Sequence, residues 1–177
     1  MERIIKVAVT GPESTGKSML AQQLASHYDT VWVPEFARQY LESLGRPYEE
    51  GDILTIAKGQ MKSVLKLEKE ANKFLFIDTE LIVTKIWSEV KYGRCDQWIL
   101  DGIGNQNYTL YLLCNIDLPW EYDPLREHPN KRSDLFNMYH NELKIRNYPF
   151  HVVHGSGPAR LLNAINWIEG IKIEGNE

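Results

Sequence analysis

The sequence predicts a three-layer α/β domain, a five-stranded parallel sheet with helices on both faces. Three observations predict it. Short apolar, β-branched runs alternate with amphipathic stretches of helical period, and strands separated by helices demand parallel pairing with right-handed crossovers. The run at 74–77 is continuously apolar, as a strand buried on both faces is. The first run opens directly into GPESTGKS at residues 11–18, a glycine-rich loop followed by a helical pattern.

The elements follow in order. Ile4 to Thr10 is the first strand, and after the loop Leu20 and Leu24, one turn apart, belong to a helix ending near His27–Asp29. Thr30–Val33 is a short second strand stopped by Pro34, and Glu35 to Leu44 is a helix closed by Gly45. Ile53 to Ala71 is a long amphipathic helix, with Ile53, Ile56, Ala57, Met61, Val64 and Leu65 on one side and a solvated Lys/Glu face on the other. Phe74–Ile77 is the third strand, with Asp78 where it emerges, and Leu81 to Tyr92 is a helix stopped by Gly93. Residues 94–107 carry a weaker pattern, helical only around Trp98–Leu100. Tyr108–Asn115 is the fourth strand, and 119–130 is a polar loop with three prolines. Ser133 to Arg146 is helical, Phe150–His154 is the fifth strand, and the last helix carries Leu161, Leu162, Ile165 and Ile168 before Gly170. Trp87, Trp98 and Trp167 fall on helical patterns and are expected in the core.

Composition bounds the function. The 177 residues suit one domain, 1–177, with a candidate lid at 119–132. Hydrophobic residues at 43% and charged residues at 25% are ordinary globular values. A net charge of −4 advertises no nucleic-acid partner, and no apolar run is long enough for a membrane span. The N-terminus starts the first strand rather than a signal peptide, and Cys95 and Cys114 form no C-x-x-C pair, so a reducing cytoplasmic setting is expected. His151 and His154 point to opposite faces of a strand and cannot chelate one metal. The segment Asn130–Ser133 misses the guanine-reading N-K-x-D by one position.

GPESTGKS is a complete G-x-x-x-x-G-K-[ST] motif. Gly11 and Gly16 let the chain curl so that successive amides form an anion nest at a helix start. Lys17 is expected to reach the β- and γ-phosphates and Ser18 to hold Mg²⁺. The expected nucleotide contacts are Gly11, Glu13, Ser14, Thr15, Gly16, Lys17, Ser18 and Met19, and the expected cofactors are ATP and Mg²⁺. In a parallel sheet the residues just past each strand converge on this loop. Glu35 follows the second strand and Asp78 the third, and phosphoryl transfer needs a carboxylate at the acceptor hydroxyl and another near the metal. Glu35 is assigned to the acceptor and Asp78 to Mg²⁺, with the reverse left open. As purely structural readings, Asp78 would cap the following helix and Glu35 would favour a helix start. Arg126, His128, Lys131 and Arg132 lie within seven positions, which fits a mobile basic lid and an ordinary solvated loop equally. Trp120 is placed either to stack on a planar ring or to anchor that loop.

Taken in order, GPESTGKS, VPEFAR, FIDTE, PW-x-x-D-x-x-R and a closing H-G-x-x-x-x-R resemble the kinase domain of NadR-type proteins over roughly residues 4–170. The resemblance implies a P-loop NTPase fold of nucleoside-kinase type that phosphorylates ribosylnicotinamide with ATP, giving nicotinamide mononucleotide for NAD synthesis. It implies that Lys17, Glu35, Asp78 and Arg126 carry the chemistry and that Arg38, Trp120 and Asp123 adjoin the nucleoside. Arg132 and Ser156 would adjoin ATP, with 155–160 where related small kinases place the adenine. Longer members carry a DNA-binding region and an adenylyltransferase domain ahead of the kinase, and these 177 residues match neither. Better-known members have an aromatic residue just before the glutamate, where this chain has Pro34. The competing readings are a module that senses or slowly hydrolyses ATP for a partner, and a kinase for another nucleoside or nucleotide. Nothing in the sequence indicates an oligomeric state.

Overall fold

Five strands, β1 (Ile5–Thr10), β2 (Trp32–Val33), β3 (Phe74–Asp78), β4 (Leu110–Cys114) and β5 (Phe150–Val153), pair in parallel in the order β2-β3-β1-β4-β5. The computed structural model describes residues 3–171. Among the described residues seven helices connect or follow the strands: α1 (Lys17–His27), α2 (Phe36–Leu44), α3 (Glu50–Leu67), α4 (Leu81–Tyr92), α5 (Gln97–Asn105), α6 (Arg132–Ile145) and α7 (Gly157–Glu169).

Strand order and crossover handedness decide which helix covers which face. Only the β1-to-β2 connection runs toward one edge; the next three connections run the other way. Right-handed crossovers therefore put α1 on one face and α3 to α6 on the opposite one. The packing agrees. Val7, Val9, Phe74, Phe76, Leu110 and Leu112 meet Leu20 and Leu24 of α1 and Ala164 and Ile168 of α7. Their neighbours along the strands, Ala8, Leu75, Ile77, Tyr111 and Leu113, meet Ile53, Ile82, Ile86, Ile99 and Leu143. Period-two alternation thus supplies two cores from one sheet, which is why the central strands read as unbroken apolar runs.

The residues past 93 that gave only a weak helical signal form α5, capped by Asp96, whose side chain accepts the Trp98 N–H at 2.8 Å. Two of the three tryptophans expected in the core reach the surface instead. Trp98 and Trp167 are each 39% exposed, the first under the Lys58 ammonium and the second stacked on His151 at 3.7 Å. Large aromatic rings reach past a helix flank and cover surface, so helical spacing alone overstates their burial. Among the described residues no helix is long and apolar enough to cross a membrane.

Candidate active site

β1 and β3 are neighbours, yet β1 feeds α1 on one face and β3 feeds α4 on the other, so a crevice opens between their carboxyl ends. The loop after β1 forms one side of it. Gly11 has φ 132°, and a Cβ there would lie 3.0 Å from the Cys114 carbonyl oxygen of β4, so the curl tolerates no side chain. Gly16, at φ 74°, caps α1. The Lys17 ammonium donates to the Pro12 carbonyl at 2.7 Å, and the Thr15 hydroxyl to the same oxygen at 2.8 Å.

Across the crevice the Ser18 hydroxyl donates to Asp78 Oδ2 at 2.5 Å. Asp78 is almost wholly buried. Burial raises its carboxyl pKa, while the Ser18 hydroxyl, the Lys17 charge, the Thr79 hydroxyl and the Glu35 N–H act to lower it. Glu35 precedes α2, and its side chain makes no capping bond; it lines the crevice instead. Its pKa is raised by burial first and by the Asp78 charge second, against the pull of Lys17 and Arg38. A buried acid and a half-buried one therefore face one ammonium, and this arrangement favours taking up a proton or a cation.

The structure also settles what caps α4. Glu80 does, accepting the Ile82 N–H at 2.7 Å and the Thr10 hydroxyl at 3.0 Å, which leaves Asp78 free for the crevice. Between them Thr79 holds φ 71°, a left-handed conformation costly for a β-branched residue, and its N–H donates to the Val9 carbonyl at 3.1 Å.

The crevice widens into a cleft of about 540 Å³ that runs from the phosphate loop to a wall built by Leu41, Tyr48, Val83, Ile86, Trp87 and Tyr139. Trp87, expected in the core, faces this cleft. Its Nε1–H donates to the Tyr48 hydroxyl at 2.9 Å, with the two rings edge to face at 5.0 Å. The helix it sits on carries two apolar stripes, one (Ile82, Ile86) packed into the core and another (Val83, Trp87, Val90) on the cleft, beside a polar side formed by Lys85, Ser88 and Glu89.

Residues 119–131 lie against the phosphate loop. Glu13 accepts the N–H groups of Glu127 and His128, and the Ser14 hydroxyl accepts that of Glu121 at 2.9 Å. Arg38 pairs with Asp123 at 2.9 Å, and Arg126 lines the cleft while donating to the Glu121 carbonyl. Trp120 lies between the guanidinium groups of Arg126 and Arg132, 5.9 and 5.8 Å from its ring centre, so here it anchors the lid. Arg132 is the first residue of α6 and ties Ser14 and Leu118 carbonyls together at 3.0 and 2.9 Å. Met19 lines the cleft mouth, 65% exposed, and Ser156 is an exposed residue before α7 with no side-chain capping bond.

Of two buried polar side chains at the site, Gln60 was missed by the sequence reading and Arg160 entered it only as the last residue of the closing motif, with no role assigned. Gln60 accepts the Phe36 N–H at 2.8 Å and donates to the Asp78 carbonyl at 3.1 Å, fixing the start of α2 to the end of β3. Arg160 donates to Thr15, Asn115 and Gly155 carbonyls and pairs with Asp117 at 2.7 Å, clamping the phosphate loop to the ends of β4 and β5. Both carried a signal. Gln60 stands between Ile56 and Val64 on one buried stripe, and Arg160 precedes Ala164 and Ile168 on another. A polar residue on an apolar stripe needs buried partners.

Crevice, loop and strand order define a P-loop nucleotide-binding domain of the kinase type. Residues 6–160 match the AAA domain family, and the chain belongs to that family. It is 28% identical over 172 residues to the trifunctional NAD biosynthesis/regulator protein NadR of Salmonella typhimurium, covering 92% of this chain and 42% of that protein. The chain thus spans under half the length of this relative. The crystal structure of a NadR protein in complex with NR superposes with TM-score 0.79 at 21% identity, over 98% of this chain and 53% of that one. Deoxyadenosine kinase from M. mycoides with bound dATP superposes at 0.63 with 13% identity, over 94% of this chain and all (100%) of that one. These superpositions establish a shared fold.

Proposed function

We propose that this chain is an ATP- and Mg²⁺-dependent kinase that phosphorylates the 5′-hydroxyl of a nucleoside, with ribosylnicotinamide as the first acceptor to test and nicotinamide mononucleotide as its product. One observation carries the reading. A complete phosphate loop, its Ser18 bonded to buried Asp78, shares a single cleft with Glu35 and an aromatic wall. A domain that only sensed ATP would need the loop but no such second chamber.

Asp78 and Ser18 suit magnesium, a hard cation held by one or two protein oxygens beside phosphates and water. These two would hold it, and the ion would neutralise charge on the transferring phosphate. Glu35 lines the cleft and takes the proton of the acceptor hydroxyl. The freed oxygen bonds to the γ-phosphorus, the bond to the β-bridging oxygen breaks, and ADP leaves with that electron pair. Lys17 and Arg126 offset charge on the phosphates.

The acceptor wall supports a planar base. Pro34 is exposed, and the aromatic surface comes instead from Tyr48 and Trp87. Arg38, the cation beside Glu35, is engaged by Asp123 and Glu42, which favours an uncharged acceptor hydroxyl over a nucleoside monophosphate. The relative named for NAD biosynthesis and the NadR structure holding NR both support this choice. The free thiols of Cys95 and Cys114 suit a reducing cytoplasmic setting. Phosphate transfer from ATP across a nucleoside panel tests the reading. A phosphorylated ribosylnicotinamide is expected; turnover to water alone, with every nucleoside ignored, replaces the kinase with a nucleotide hydrolase.

A further inference from the structure

One lid residue touches both ends of the cleft. The backbone N–H of Glu127 is held by the Glu13 carboxylate of the phosphate loop, at 3.2 and 3.1 Å from its two oxygens, and that carboxylate also takes the His128 N–H at 3.1 Å. The side chain of the same Glu127 takes the Tyr48 hydroxyl at 2.9 Å and the Lys91 ammonium at 3.1 Å. Tyr48 in turn accepts the Trp87 indole N–H, so Glu127 is joined to the acceptor wall. Loop, lid and wall form one continuous hydrogen-bonded chain.

Glu13 places on the phosphate loop a charge that opposes a polyphosphate ligand. Its carboxylate instead serves two lid amides that would otherwise lack partners at the lid's most polar stretch. We propose that Glu13 and Glu127 form an interlock: Glu13 is a positioning residue that seats the lid on the phosphate loop only while Glu127 is seated on the acceptor wall, and the interlock bars water from the γ-phosphate until an acceptor is bound. This inference rests on the kinase reading above. Without it, water's oxygen bonds to the γ-phosphorus, the bond to the β-bridging oxygen breaks, ADP leaves with the electron pair, and water's proton passes to solvent. That leak is what a kinase must suppress, and closure is the means.

The test compares wild type with Glu13→Ala, Glu13→Gln and Tyr48→Phe in ATP, Mg²⁺ and ribosylnicotinamide, measuring ADP released against phosphorylated nucleoside formed. Glu13→Ala is expected to raise that ratio about tenfold, and Tyr48→Phe about threefold. Glu13→Gln keeps an acceptor oxygen for one amide and falls between. A merely structural loss lowers hydrolysis and transfer together and leaves the ratio unmoved; that result overturns the interlock while the kinase reading stands. Tryptic cleavage after Arg126 and Lys131, in each protein with ATP present, is read alongside. Should wild type phosphorylate no nucleoside, the kinase reading falls and cleavage decides the interlock by itself. Faster lid cleavage in Glu13→Ala than in wild type then supports it, and equal rates overturn it.

Discussion

The two ends of the cleft are built on opposite plans. At the nucleotide end the recognition surface is a contiguous run, residues 11–18, whose shape follows from two glycines and a helix start. At the proposed acceptor end, Glu35 and Leu41 of one segment, Tyr48, Trp87 and Glu127 come from four separate stretches of chain and meet only once the sheet and its crossovers are in place. A main-chain cradle tolerates drift in the remainder of the chain, because it carries its geometry with it. A chamber of scattered side chains can be refitted to a new ligand by a few substitutions, since each contributes its surface independently of the main-chain path. The nucleotide end is thus the fixed half of the site and the acceptor end the adaptable half.

Lys17→Ala bears on the fixed half and carries the largest expected effect. It removes the ammonium that both acids face and that the proposed mechanism sets against the phosphates, and transfer should fall by about 10³-fold. The side chain's one bond in the structure is to the Pro12 carbonyl, so the melting temperature should hold. Retained turnover in a folded variant would take Lys17 out of the chemistry. Glu35→Gln bears on the adaptable half. Its kcat should drop by about 10²-fold with ATP affinity nearly intact, as for a group acting on the acceptor alone. Loss of ATP affinity with acceptor handling preserved would exchange its role with that of Asp78.

The same contrast explains what could be read in the sequence. The strands, the loop and the sheet's parallel sense were legible because each is a local pattern, period two, period 3.6 or a spaced motif. Asp78 was legible as an acid at a strand's end. Gln60, Arg160 and the cleft face of Trp87 were not assigned, because each has a defining partner 18 positions away or more: Gln60 reaches Asp78, Arg160 reaches Thr15, and Trp87 reaches Tyr48. What was visible was the anomaly, a polar side chain on an apolar stripe, without its reason. For the tryptophans even that was lacking, since core, cleft and surface positions share one helical spacing.

Arg160 lies behind the phosphate loop and tests how fixed that half is. Its guanidinium is 6% exposed and bonded to three carbonyls and Asp117. Arg160→Ala should cost about 2 kcal/mol, from the three carbonyls left without their donor rather than from Asp117, which solvent reaches, measured by urea unfolding. If the loop held its form without the clamp, the variant would lose stability yet bind ATP normally. Weakened binding in proportion to lost stability would show that the cradle leans on β4 and β5 and is less self-contained than its sequence suggests.

The seam between the halves is Glu80, and its effect is confined to a pH window. It joins Thr10, the last residue before the phosphate loop, to the start of α4, the helix that carries the acceptor wall. With its amide turned so that the nitrogen faces this carboxylate, Gln106 donates to it at 3.2 Å and takes the Leu81 N–H at 3.1 Å. Burial lifts its pKa from 4.5 to about 7, against the Ile82 N–H, the Thr10 hydroxyl and the Arg146 charge, all of which favour the ion. Between those two values the folded chain holds a proton that the unfolded chain has released, so stability falls as pH rises through the window and levels off above it. The span corresponds to a decline on the order of 3 kcal/mol. Glu80→Gln removes the titrating group and should flatten the decline, seen as melting temperatures that change less between pH 5 and 7 than those of wild type. If the seam couples the two halves, the variant's nucleotide and acceptor affinities should also become less sensitive to pH over that interval. A flattened melting curve with both affinities still following the wild-type profile would mean that Glu80 holds the fold together but does not connect the halves.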